Sequence, residues 1–180
     1  MRKISSSVFF ILVGIALLLS GCIKYSMSGA STNAKSIQVD PFFNNTELAP
    51  GNFGQTVTNR VKDYFQQNSS LRVVPINGEL QIEGTIVTYA TAPIAPQAST
   101  GTGANTTPNY GAQTRLTIVL KVNYVDNGEP KNSFKDRSFS FYADFNNDDA
   151  GGFNSIQESL EKKILDQIML DIFNATIATW

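Results

Sequence analysis

Histidine is absent from the 180-residue sequence, and cysteine occurs once. Without an imidazole there is no Ser-His-Asp triad, no Cys–His dyad and no zinc site of the usual ligand types. A lone cysteine closes no intrachain disulfide. Charge is sparse as well: 16% of residues, with 14 Lys+Arg against 15 Asp+Glu and a formal net charge of −1. Nucleic-acid-binding domains carry a basic footprint that this chain lacks, so no nucleic-acid partner is expected. What is present is a 42% hydrophobic composition, with aromatic residues making up 11% of the chain. That fits a globular chain of one domain, two at most, and excludes wholesale disorder and collagen-like repeats.

The first apolar run is short. Arg2 and Lys3 precede 12 apolar residues at positions 8–19, where a bilayer span needs roughly 20. This is the pattern of a secretory signal peptide. Leu19-Ser20-Gly21-Cys22 follows directly and has the form of a bacterial lipobox. In such a site the signal is cut before the cysteine and the thiol takes a diacylglycerol, with small residues giving the peptidase access. Residues 1–21 are therefore expected to be a cleaved signal and 22–34 a lipidated tether. The rest, residues 35–180, reads as one domain. No cofactor is expected beyond the covalent lipid on Cys22. Acylation on three chains exceeds the two lipid signals that stable anchoring takes. Ile23, and not aspartate, follows the cysteine, and no acidic cluster comes after it; the expected address is the periplasmic side of the outer membrane.

Beyond the tether, Ile37, Val39 and Phe42 read as a short strand ended by Pro41. Phe53, Val57, Val61, Tyr64 and Phe65 recur at helical spacing up to about Gln67, and residues 71–74 form another short strand closed by an Asn77-Gly78 turn. Residues 80–89 alternate as a half-buried strand. The strongest strand is 114–125, where Leu116, Ile118, Leu120, Val122 and Tyr124 share one face. Asp126-Asn127-Gly128-Glu129 signals a hairpin, and residues 133–142 form its return strand, with a parity change between Phe134 and Phe139 that suggests a bulge. Ser155 and Glu158 resemble a capping box ahead of a long helix carrying Ile156, Leu160, Ile164, Ile168 and Ile172. The order predicts an α+β two-layer sandwich: a mainly antiparallel sheet of four to five strands with two helices on one face.

Residues 90–112 do not fit that plan. They are Ala, Thr, Pro, Gly, Asn and Ser with almost no large apolar side chain and no charge. Structureless loops beyond about 12–15 residues tend to be functional or disordered. Pro93, Pro96 and Pro108 stiffen the segment and remove backbone donors, so it is not expected to pair as an added strand.

Several stretches together resemble a known family. Cys22-Ile23-Lys24-Tyr25-Ser26-Met27-Ser28-Gly29-Ala30 is similar to the mature start of lipopolysaccharide-assembly lipoproteins of the LptE family, in its Bacteroidetes form. Ile37-Gln38-Val39-Asp40-Pro41-Phe42, Phe139-Ser140-Phe141-Tyr142-Ala143-Asp144-Phe145 and the closing Asp171-Ile172-Phe173-Asn174-Ala175-Thr176-Ile177-Ala178-Thr179-Trp180 add to the resemblance. It implies a non-enzymatic α/β sandwich that plugs the lumen of an LptD-type outer-membrane β-barrel, assists its assembly and meets lipopolysaccharide. Under it, Cys22 is the lipid attachment site. The neutral 90–112 segment, with Pro93, Pro96, Pro108 and Tyr110, becomes either a barrel-contact loop or a tolerated surface insertion. Two other classes stay open: a stand-alone periplasmic lipoprotein that binds a glycolipid or envelope polymer, and an accessory lipoprotein of another secretion machine.

The charged residues offer one further candidate site. Arg115 and Lys121 lie opposite Leu116, Ile118 and Leu120 on their strand, and Lys135 and Arg137 lie on its hairpin partner. Four cations on one solvent face suit phosphates or carboxylates of lipopolysaccharide, or simply keep a sheet face solvated. Asp144, Asp148 and Asp149 lack EF-hand spacing and read as an acidic turn before a helix. No carboxylate pair, Asp63 and Glu83 included, is singled out for glycosidase chemistry. Trp180 suits either a core or an interface.

Overall fold

Alternation decides the sheet. In a computed structural model, which describes residues 32–94, 113–146 and 152–177, the chain runs β1 (Ser36–Val39), β2 (Phe43–Asn44), α1 (Phe53–Asn68), β3 (Arg72–Val74), β4 (Leu80–Ile94), β5 (Gln113–Asp126), β6 (Phe134–Asn146) and α2 (Gly152–Thr176). Along β5 the even-numbered residues from Leu116 to Tyr124 are buried and their odd-numbered neighbours are not. One side of the sheet therefore joins a core and the other stays open. The six strands are ordered β3-β1-β4-β5-β6, with β2 also beside β4. The three long strands pair antiparallel, while β1 lies parallel to β3 and β4.

Both helices cover the same face. Phe53, Val57, Val61 and Phe65 of α1 fall four residues apart and are buried, as are Leu160, Ile164, Ile168 and Ile172 of α2. They share one core with Ile37, Leu80, Ile82, Ile86, Leu116, Ile118 and Leu120. Where the helices meet, Phe173 lies 5.5 Å from the rings of both Tyr64 and Phe65. Arg60 of α1 pairs with Asp166 of α2, which also binds Lys162 at 2.9 Å. Burial pulls the Asp166 carboxyl up, but the hydrogen bonds from Lys162 and Arg60 and their charge outweigh it and hold the group below its ordinary value.

Two close approaches lock the start of the sheet. The Phe42 backbone N–H donates to Thr58 Oγ1 at 2.9 Å, and that hydroxyl donates to the Gly54 carbonyl at 2.8 Å. Phe42 also packs on Gly84, where an added Cβ would lie 2.4 Å from its ring and 2.7 Å from the Lys121 carbonyl oxygen. Glycine is the residue that permits such a backbone approach.

The fold agrees with the expected class and corrects several boundaries. The sheet has six strands, because Phe43–Asn44 adds a two-residue strand beside Thr85 and Ile86. The Asn77-Gly78 turn, with Asn77 at φ 56°, carries the chain across β1, since β3 and β4 flank it. Strand β4 continues through residues 90–94, so Pro93 is paired with Thr114 and is no part of a loop. Past Ile86 the described residues give β4 a partner on the β5 side only, and a proline is accommodated at such an edge. The expected bulge is present: Lys135 and Asp136 oppose Asn123 alone, with Asp136 at φ 51° donating its N–H to Asn123 Oδ1 at 2.7 Å. Helix α2 starts at Gly152, so Ser155 sits inside its first turn and donates to the Gly152 carbonyl. No helix among the described residues is long and apolar enough to cross a membrane.

Candidate interaction surfaces

The open face of the sheet is built from short side chains. Thr85, Thr88 and Ala90 of β4 stand beside Lys121, Val119 and Thr117 of β5, which in turn face Ser138, Ser140 and Tyr142 of β6. Hydroxyls and small apolar groups dominate, and the charges at its ends are tied down. Arg115 is in register with Asp144 and grips it twice, Nε to Oδ1 at 2.7 Å and Nη2 to Oδ2 at 2.9 Å. The guanidinium also lies 3.7 Å above the centre of the Tyr142 ring. The Arg115 hydrogen bond holds the Asp144 carboxyl below its ordinary value. Glu83 accepts from Asn123 Nδ2 at 2.9 Å across β4 and β5.

The four cations expected on one solvent face are divided. Arg115 and Lys121 do lie on the open face. Arg137 is in register with the buried Val122 and so belongs to the helix-bearing side. Its guanidinium sits over the rings of Phe134 and Phe139, 5.3 and 5.4 Å from their centres. There it borders a shallow cleft of about 460 Å³ with Asp171 and Asn174 of α2. Lys135 is exposed within the bulge. The signal was available: Arg137 has the parity of Phe139 and Phe141. Cys22, Pro96, Pro108, Tyr110, Asp148, Asp149 and Trp180 lie outside the described residues. Asp144 serves Arg115, and Asp63, on the helix side, does not converge with Glu83. Among the described residues no group of three or more potential metal ligands comes together.

The two poles of the sandwich differ. At one, Leu80 pairs with Asp126, and Asp126 Oδ1 accepts from the Gly128 and Glu129 N–H groups to close the hairpin. Thr32 and Ile177 meet here, with Glu79 and Asp126, around a polar cleft of about 450 Å³. At the other pole, a cavity of about 330 Å³ is lined by Leu48, Tyr89, Thr91, Thr114, Phe145 and Phe153. Sequence reading did not find it, because its walls come from β4, β5, β6, α2 and the β2–α1 connection. The Tyr89 hydroxyl donates to Glu161 Oε1 at 2.7 Å and accepts from Gln157 Nε2 at 3.0 Å. Burial pushes the Tyr89 phenol up, and its hydrogen bond to Glu161 adds to this.

Among solved structures the chain is similar to a hypothetical protein from Chlamydia trachomatis, with 11% identity, a TM-score of 0.49 and coverage of 79% of this chain and 97% of that one. It is similar to lipoprotein B from Nitrosomonas europaea, with 12% identity, a TM-score of 0.46 and coverage of 78% and 80%. For the rare lipoprotein B from Shewanella oneidensis the values are 10% identity, a TM-score of 0.43, and 76% and 93%. No curated protein matches the chain. The family model described as LptE, lipopolysaccharide-assembly, matches residues 34–176, nearly the whole of the folded region. The chain belongs to the LptE family of lipopolysaccharide-assembly proteins.

Proposed function

We propose that this chain is an outer-membrane lipoprotein, anchored through lipid on Cys22, that partners an LptD-type β-barrel during delivery of lipopolysaccharide to the cell surface. The observation that carries the reading is the family match across residues 34–176. The role is one of binding and assembly, without catalysis. The fold supplies a suitable surface for it: a sheet whose described helices lie on one side, its other side bearing threonine, serine and valine. Such a face offers hydrogen-bonding groups to a polar barrel wall with few charges to desolvate.

Anions of lipopolysaccharide are assigned to Lys121, Lys135 and Arg137, with Arg115 the weakest contributor because Asp144 already occupies its fork. The 95–112 segment, with Pro96, Pro108 and Tyr110, is assigned to barrel contact. Depletion in cells tests the reading. Surface lipopolysaccharide and the mature barrel should fall together as the lipoprotein is lost. Normal surface lipopolysaccharide after full depletion overturns it.

A further inference from the structure

The sequence holds two Asn-Gly pairs, Asn77-Gly78 and Asn127-Gly128, each followed by glutamate. The fold brings them to one corner. Asn127 Nδ2 donates to the Gly78 carbonyl at 3.2 Å, and the Asn127 N–H donates to the Glu79 carbonyl at 3.1 Å. An asparagine before a glycine can react with its own backbone. The glycine nitrogen, unhindered by a side chain, attacks the asparagine Cγ wherever the two groups are free to meet.

Asn127 is held against this reaction. Its side-chain amide is engaged by Gly78, and the nucleophile itself, the Gly128 N–H, donates to Asp126 Oδ1 at 2.9 Å. Asn77 has no such restraint. It is exposed, stands at φ 56°, and among the described residues its side chain makes no hydrogen bond. It follows β3, a strand of only three residues, and so short an element opens at low cost.

We propose that Asn77 is a site of spontaneous deamidation and that Asn127 is protected from it. The Gly78 nitrogen gives up its proton and bonds to Asn77 Cγ. The Cγ–Nδ2 bond breaks, and Nδ2 leaves with that proton as ammonia. Water then opens the resulting succinimide at either carbonyl, giving aspartate or isoaspartate. Water is the sole co-reactant, and nothing is oxidised or reduced. The two products differ in consequence. Aspartate tolerates the left-handed region, so that product keeps the turn. Isoaspartate lengthens the main chain just before Gly78, where an added Cβ would already lie 2.4 Å from the Gln38 nitrogen and 2.6 Å from the Leu80 carbonyl oxygen. That product loosens the connection from β3 across β1 to β4.

The test is incubation of the purified full-length protein in detergent at mildly alkaline pH, with peptide mapping by mass spectrometry over time. Asn77 should convert to aspartate and isoaspartate about ten-fold faster than Asn127, or more, since Gly128 must first give up a hydrogen bond to a carboxylate. In urea, where neither restraint survives, the two rates should converge, because both motifs read Asn-Gly-Glu. Asp126→Ala should speed conversion at Asn127 in the folded protein. Equal rates in the folded chain, faster loss at Asn127, or a gap that persists in urea would overturn the proposal. So would a folded Asn77 that stays intact while the urea sample reacts. If circular dichroism shows Asp126→Ala unfolded, the folded and urea-treated wild type decide alone.

Discussion

Arg115 and Asp144 face one another across β5 and β6 and form a two-bond pair at 2.7 and 2.9 Å, with the Tyr142 ring stacked beneath the guanidinium. A cation so occupied makes a poor additional grip on a ligand. Lys121, three registers along the same face, is opposite Ser138 and exposed. Lys121→Glu should therefore weaken lipopolysaccharide retention more than Arg115→Gln does, and the difference should shrink as salt rises. Binding of labelled lipopolysaccharide across a salt series checks this. Equal losses would assign the anions elsewhere.

The same pair sets an acid limit on stability. Asp144 and Asp166 both titrate below the ordinary 3.8 in the folded chain. Their contribution is fully present above that value and is lost as pH falls through the lower folded values. Urea midpoints should decline with falling pH in that window, and Asp144→Asn with Asp166→Asn should flatten the decline. Both side chains are about one-third exposed, so the effect is modest.

Two buried tyrosines should respond oppositely to loss of the hydroxyl. Tyr89 spends its hydroxyl on Glu161 and Gln157, and Tyr89→Phe should cost about 1 kcal/mol or somewhat more. Tyr124, 1% exposed, has a buried hydroxyl with no hydrogen-bond partner among the described residues. Tyr124→Phe should leave stability unchanged or raise it. Denaturant unfolding of the two variants side by side decides the matter.

Gly84 is the third stability test. An added methyl group meets both the Phe42 ring and the Lys121 carbonyl, and a main-chain oxygen in a sheet has nowhere to retreat. Gly84→Ala should destabilise by about 1–3 kcal/mol. Shortening Phe42 to leucine alongside it should recover only part of the loss, because the carbonyl remains.

Much of this fold is legible in the order of the residues, for a physical reason. Val57, Val61 and Phe65 announce α1, and Leu116 to Tyr124 announce β5, because burial on one face imposes its own period. Phe134 and Phe139 betray the bulge because an extra residue reverses parity. Strand β2 escapes because two residues carry no period, and its existence depends on Thr85 and Ile86, some forty positions away. The end of β4 escapes because Pro93 reads as a breaker until its place opposite Thr114 is known. Of the candidate site, Arg115 and Lys121 are placed correctly on the open face by alternation alone. Their pairing state is not legible, since Asp144 comes into register only when β6 folds back. The apolar cavity is least legible of all, being a meeting of five separate chain segments.

The proposed function has this LptE-family chain working bound to an outer-membrane β-barrel. Affinity purification of the full-length lipoprotein from membranes in mild detergent, with mass spectrometry of what co-elutes, tests it most directly. The expected result is a stable one-to-one complex with a single large β-barrel, held by an obligate interface burying more than about 2,000 Å². Recovery of the lipoprotein only as a free monomer, under conditions that keep other barrels folded, would contradict it.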